Sequence, residues 1–363
     1  MRVIVVGATG NVGTSVVSAL ESDPDVTSIV GVARRLPARR PGIAAERPGV
    51  AAAQPGKTRW HSADVTTSDL TGIFAGADAV VNLAWLFQPT REPVTTWRAN
   101  VLGGMRVFRA VAEAGVSILV HASSVGAYSP GPKDRAVDER WPTHGCPGAA
   151  YSREKAYLER VLDVFENDHP SIRVVRMRPG FIFKREAAAG QRRLFAGPFL
   201  PGRLLRAGRV PFVPGIPGLR VQALHSSDAG EAYRLAVTRS VFGAFNLAAE
   251  PVLDAATLAD LLGARVVPVA PYVARTAVAA AWHLRLIPAS PGLMEMALQI
   301  PVMDTTRART VLGWRPRHTA IEAVGELLEG LRTGAGMDTP PLRADAGGPA
   351  RVGELATGVG RRP

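Results

Sequence analysis

The first thirteen residues place the tightest constraint on what this chain can fold into. Met1-Arg2-Val3-Ile4-Val5-Val6 is a short apolar run that breaks at Gly7; Gly10 and Gly13 follow at intervals of three, and apolar residues then recur at Val16, Val17 and Leu20. A β-branched run predicts a buried strand and the later spacing a helix, so a strand enters a helix through a turn that excludes side chains. Such a unit aims backbone N–H groups and the positive end of a helix at one point, which is what holding a pyrophosphate requires. The turn, with Thr9, Asn11 and Val12 between its glycines, is therefore expected to cradle a dinucleotide. Its spacing differs from Gly-x-Gly-x-x-Gly, so this motif alone leaves open a tight turn with no cofactor.

Strand and helix signals alternate onward: strands over residues 28–33, 78–83 and 117–121, and helices over 14–21, 98–114 and 151–165. That order predicts an α/β fold, a Rossmann-type doubly wound parallel sheet whose strands end on one ligand-binding edge. The expected division is a dinucleotide-binding domain over residues 1–178 and a smaller substrate-capping part over 179–332. Residues 36–57 and 197–218, rich in Pro, Gly and Arg, read as long loops; the second, which brings Phe195, Phe199, Leu200 and Phe212 together with arginines, reads either as shaping a substrate pocket or as an irregular surface connection. The Gly-, Ala-, Pro- and Arg-rich residues 333–363 bury too little apolar area to offset ordering entropy and read as a disordered tail.

A formal net charge of +12 favours anionic partners, and a phosphorylated cofactor is one. Nucleic acid is not expected, because the arginines are scattered and no aromatic-interleaved basic stripe occurs. Cys146 is the only cysteine, which rules out an intrachain disulfide, and no metal is expected; loop filler is its plainest reading. No stretch reaches the length of a membrane span, so stable membrane insertion is not expected and a cytoplasmic location is. Residues 273–287, interrupted by Arg275, His283 and Arg285, predict an amphipathic helix over a pocket in preference to an interfacial membrane contact.

Tyr151 and Lys155 lie four residues apart on a predicted helix and share its face. An ammonium beside a phenol favours the phenolate, so Lys155 is expected to bring Tyr151 down toward a useful acid/base range. Ser124, just past a predicted strand, is placed to hydrogen-bond the same carbonyl or carbinol oxygen. A surface Tyr–Lys pair is the alternative reading of these two residues taken alone.

Taken together, these residues resemble the extended short-chain dehydrogenase/reductase superfamily, in its NAD-dependent epimerase/dehydratase group, over about residues 1–332. The resemblance rests on Gly7, Gly10 and Gly13, Asp64-Val65, Asn82-Leu83-Ala84, Asn100, Ser123-Ser124 through Tyr128, Tyr151 with Lys155, Arg178-Pro179-Gly180, His225 to Asp228, and Leu312-Gly313-Trp314. It implies Tyr151 as acid/base, Lys155 as its electrostatic partner and ribose ligand, and Ser124 as the oxygen-polarising group. It further implies cofactor contacts from Asp64, Val65, Leu83, Ala84, Asn100 and Pro179, and a homodimer through the helices near residues 98–114 and 151–165. After the second strand stands Ala33-Arg34-Arg35 with no carboxylate, which favours NADP over NAD; ordinary loop charges are the other reading of the arginines. Trp85, Phe87, Tyr128, Phe181 and Phe183 are the candidate apolar pocket for a small-molecule substrate, with core packing the other reading of each. Ser124 is followed by Val125-Gly126 where dehydratases of the family carry Asp-Glu, and Gly180-Phe181 departs from the epimerase pattern. The expected activity is hydride transfer between NADP(H) and a ketone, aldehyde or secondary alcohol. The alternatives are a nucleotide-sugar epimerase with tightly bound NAD and a non-catalytic dinucleotide-sensing protein.

Overall fold

Seven parallel strands form the central sheet of the computed structural model, which describes residues 1–37, 56–200, 202 and 208–361. Most of the expected loop over residues 36–57 lies outside the described residues. Across the sheet the strands run Gly243–Leu247, Arg173–Pro179, Ile118–Ala122, Ala79–Asn82, Arg2–Val6, Ser28–Ala33, Thr58–Ser62. Every pairing is parallel, and the order reverses beside Arg2–Val6. This is the doubly wound arrangement expected from the sequence, and its switch point opens a crevice at the carboxyl ends of the strands.

The strands alternate their side chains between two apolar layers, as a period of two requires. Val3 and Val5 face a layer with Val16, Leu20, Ala232 and Tyr233, from helices Asn11–Glu21 and Ser226–Thr238. Ile4 and Val6 face the opposite layer with Val107, Phe108, Leu158 and Leu162, from helices Gly103–Glu113 and Ala150–Asp168. With both faces covered, nearly all of Arg2–Val6 and Ala79–Asn82 is buried, so the strand registers hold the crevice rigidly.

The boundary expected at residue 178 is not clean, because helix Ser226–Thr238 and strand Gly243–Leu247 belong to the central sheet and its covering layer; outside that body, a smaller cap is built on the strands Phe181–Phe183, Val221–His225 and Ala249–Leu253 and on a ribbon of Phe212–Gly215 against Arg265–Pro268. Helices Ala255–Leu262 and Ala320–Thr333 pack on these strands, and helices Pro271–His283 and Pro291–Gln299 extend the cap over the cavity.

The tail differs from its expectation. Residues 334–361 are packed on the body: Leu342 and Val359 are buried, Arg192 and Glu354 form a buried ion pair, Arg193 donates to the Pro341 carbonyl at 2.7 Å and Arg91 to the Val359 carbonyl at 2.8 Å. Composition measures whether a segment can build a core of its own; this one borrows surface and counter-charges from the cap.

Candidate active site

The sheet's carboxyl edge collects residues that are far apart in the chain. Gly7 follows the first strand, Arg34 and Arg35 the second, Asp64 the third, Leu83 and Ala84 the fourth, Ser124 the fifth and Gly180 the sixth. The three turn glycines have different jobs. Gly7 has φ +86°, and a Cβ there would lie 2.9 Å from the Ala84 nitrogen. A Cβ on Gly13 would meet the Gly7 carbonyl oxygen at 2.2 Å, so Gly13 lets the helix close on the strand. Gly10 is roomier, with its nearest atom 3.4 Å from a Cβ, and it lines the crevice at the uncapped start of helix Asn11–Glu21.

Two cavities meet at Gly7, Gly10, Leu83, Trp85 and Pro341. The first, about 420 Å³, is lined by Thr9, Arg34, Arg35, Asp64, Val65, Ala84 and Asn100. Burial pushes the Asp64 carboxyl up, but the Thr66 side-chain and backbone hydrogen bonds and the nearby Arg34 charge outweigh it and hold it below its usual value. Asn100 is fixed structurally: its amide donates to the Leu86 carbonyl at 2.9 Å and to Glu154 at 2.7 Å, while its oxygen accepts from the Leu86 N–H at 2.6 Å.

The second cavity, about 500 Å³, holds Ser124, Tyr151 and Lys155, with Asn11, Val12, Pro179 and Phe181 also in its wall. Helix Ala150–Asp168 places Tyr151 in its first turn. The Tyr151 ring stacks on Phe87 at 5.2 Å and meets the Trp85 edge at 5.4 Å. Its hydroxyl shares a hydrogen bond with Ser124, whose Oγ also accepts from the Gly126 N–H at 3.0 Å. Lys155 donates to the Ala122 carbonyl at 2.6 Å and lies 3.5 Å from the centre of the Trp85 ring.

The electrostatics correct one expectation. Burial pushes Tyr151 up to about 12 despite the Ser124 hydrogen bond, with Glu154 adding to the rise. Lys155 is pushed down to about 7 by burial, against the opposing pull of Glu154 and Glu159. The ammonium lies 5.9 Å from the Tyr151 ring centre and is turned onto Trp85, so in this structure desolvation outweighs the expected lowering of the phenol. As it stands, the site keeps its phenol protonated and lets its lysine titrate near neutrality.

The cavities bring together every residue predicted for the site except Tyr128 and Phe183. The Tyr128 ring is buried behind the site, donating to Asn246 at 2.6 Å and accepting from Arg178 at 3.1 Å, so it is a core anchor and not a substrate contact. Phe183 is absent from the cavity wall and stacks on Phe181 instead. Sequence reasoning missed Leu194, Met294 and Leu342 in the second cavity, and Pro341, which borders both; Phe195, read with the loop over residues 197–218, does line the second cavity. Residues 273–287 do cover the pocket as expected, through Val278 and Ile287.

The model of the NAD dependent epimerase/dehydratase family matches residues 3–247. A UDP-glucose 4-epimerase of Mycolicibacterium smegmatis is 23% identical over 92% of this chain and 99% of that protein. A ketoreductase of Stigmatella aurantiaca, named for 4-hydroxy-2-methyl-3-oxo-4-farnesyl-3,4-dihydroquinoline-1-oxide, is 26% identical over 67% of this chain and 66% of its own length. Among solved structures, the UDP-glucose 4-epimerase of Thermus thermophilus in complex with NAD superposes with a TM-score of 0.63 at 20% identity, covering 92% of this chain and 99% of that one.

Proposed function

The chain belongs to the NAD-dependent epimerase/dehydratase family of extended short-chain dehydrogenase/reductase enzymes, and from that premise we propose that it interconverts an apolar ketone or aldehyde with its alcohol, using NADP(H). The observation that carries this reading is the wall of the second cavity. It contains no carboxylate among the described residues, and its far side is Phe181, Leu194, Phe195, Val278, Leu293 and Met294. Two arginines reach it, and both are engaged: Arg193 donates to the Pro341 and Arg343 carbonyls, and Arg361 pairs with Glu92. A sugar diphosphate would find no uncommitted guanidinium there, and an elimination would find no carboxylate to serve as acid or base.

The residues present fit a dinucleotide. Gly10 leaves open the space a side chain would fill, Asp64, Val65, Leu83 and Ala84 would hold the adenosine half with Asn100 fixing the Leu86 backbone beside them, and Lys155 and Pro179 would flank the nicotinamide half. Arg34 and Arg35 border the first cavity where an acidic side chain would select a 2′-hydroxyl, which supports NADP. The bound nicotinamide supplies or accepts the hydride. Tyr151 gives its proton to the carbonyl oxygen as the alcohol forms, Ser124 hydrogen-bonds that oxygen, and charged Lys155 favours the negative charge building up on it. The full-length likeness to the mycolicibacterial epimerase favours a second reading, epimerisation of a nucleotide sugar on tightly held NAD. The same family reading includes a homodimer through the helices near residues 98–114 and 151–165, where Leu102, Tyr157 and Val164 are exposed.

The test is turnover by the purified protein. NADPH is expected to be consumed with apolar ketones, whereas conversion of UDP-glucose without net cofactor turnover decides for epimerisation. Gly10→Val supplies a binding control, since the new side chain would project into the crevice without forcing the glycine turn apart. A loss of dinucleotide affinity of about a hundredfold is expected with the melting temperature little changed. Unaltered NADPH binding in that variant would remove the crevice from the cofactor site.

A further inference from the structure

Two stretches of the sequence that contribute to the cap lack acidic residues. Between Glu186 and Asp228 the sequence has no acidic residue and six arginines; between Asp260 and Glu295 it has none and three. These two acid-free stretches meet in the structure, where Phe212–Gly215 pairs with Arg265–Pro268 and the chain runs directly into helix Pro271–His283. That helix buries no residue fully. Its inner side covers the catalytic cavity through Val278, and its outer side presents Tyr272, 73% exposed, and Leu284, just past its end and 70% exposed. Phe212, Val266, Val267 and Leu286 continue the exposed apolar surface, with Arg265, Arg275 and Arg285 exposed among them.

Large apolar side chains left in water at this density and interspersed with cations match the requirements of a bilayer interface: rings and branched chains enter the acyl boundary while guanidiniums meet lipid phosphates, Arg275 also facing Glu295 at 3.7 Å. No described helix is long and apolar enough to cross a membrane, so the contact is one that lies on the surface. We infer that the cap docks on an anionic lipid bilayer through helix Pro271–His283 and the adjoining ribbon, with the mouth of the catalytic cavity held against the lipid. The inference stands on the exposed face and its charge, independently of which cofactor the crevice takes. Joined to the apolar cavity, it makes the substrate a lipid-soluble carbonyl or alcohol drawn from the membrane, with Val278 and Ile287 at the boundary between lipid and site.

The experiment is co-sedimentation of the full chain with vesicles of phosphatidylcholine alone and of phosphatidylcholine mixed equally with phosphatidylglycerol. Because a chain of net charge +12 is drawn to any anionic surface, the deciding variant keeps every charge: Tyr272→Ser combined with Leu284→Ser. Wild type is expected to sediment with the mixed vesicles, and the double variant to bind about tenfold more weakly at an unchanged melting temperature. Equal binding by the two proteins would reduce the effect to bulk charge and overturn the inference, as would no binding by wild type. Sedimentation velocity supplies the other overturning result: a wild-type dimer that the double variant loses would mean that a second copy covers this face. Dinucleotide binding is unaffected by any of these outcomes, so a failure here leaves the reductase reading to its own test.

Discussion

Tyr151→Phe is expected to lower turnover by about a hundred- to ten-thousandfold while leaving dinucleotide affinity and stability close to wild type. Phenylalanine keeps the stacking on Phe87 and the edge contact with Trp85, so only the hydroxyl and its hydrogen bond with Ser124 are lost. The pH profile carries a second part of the same expectation. With Tyr151 pushed up to about 12, the proton donor is intact throughout the neutral range. With Lys155 pushed down to about 7, its charge is present below that pH and disappears above it. For reduction, kcat/KM should therefore fall as pH rises through about 7, and the fall should vanish in Lys155→Met, which has no charge to lose. A Tyr151→Phe enzyme within a few-fold of wild type would end the acid/base assignment, whatever the pH profile looked like.

These directions bear on which way the enzyme runs. A phenol held protonated suits giving a proton to a forming alkoxide, whereas oxidation of an alcohol requires the phenolate that burial disfavours. The oxidised nicotinamide is positively charged and would shift this balance toward the phenolate when bound. Free enzyme and oxidised binary complex should accordingly differ in the apparent pKa of Tyr151, lower in the complex.

The parts of this site that could be read in the sequence are those that the backbone enforces. Gly7 and Gly13 are dictated by contacts of 2.9 Å and 2.2 Å that any Cβ would make, so their spacing survives as a motif. Arg34, Leu83 and Ser124 were legible because parallel strands deliver their carboxyl ends to one edge, and strands are visible as apolar runs; Asp64 was reached only through the family resemblance, because Thr58–Ser62 ahead of it shows no apolar run. Leu194, Met294 and Leu342 carried no such mark: an apolar residue outside a clear period has nothing to betray where it packs. Tyr128 was misplaced for the opposite reason. Its register beside Ser124 was legible, but the Arg178 and Asn246 side chains that draw its hydroxyl into the core come from other strands. The phenol's pKa was misjudged because spacing reports that two charges are neighbours and says nothing of how much water they have lost.

Behind the catalytic face, Glu159 concentrates more electrostatic interaction than any other carboxylate described near the site, and removing its charge should be the most destabilising of the conservative changes considered. Its side chain is 1% exposed and accepts from Ser123 at 2.5 Å, from Arg178 at 2.8 and 2.9 Å and from Arg176 at 3.0 Å. Burial alone would raise this carboxyl, but the Arg178 and Arg176 guanidiniums and the Ser123 hydroxyl hold it down at about 2. Arg176 keeps Asp163 and Glu166 as partners if Glu159 is neutralised, whereas the buried Arg178 is left without a carboxylate. Breaking a buried pair on one side costs about 3–5 kcal/mol, and Glu159→Gln should lower the unfolding free energy by that amount at neutral pH. The linkage gives the result an internal control. A carboxyl at about 2 when folded and about 4.5 when unfolded contributes stability that is fully present above pH 4.5 and is lost as pH falls toward 2, about 3 kcal/mol in all. The gap between wild type and Glu159→Gln in denaturant titrations should therefore narrow across that window. Because Ser123 loses its anchor beside Ser124, turnover should fall as well, through kcat more than KM. A gap that stays constant from about pH 5 to the acid limit would mean that Glu159 stabilises the fold by shape and not by charge.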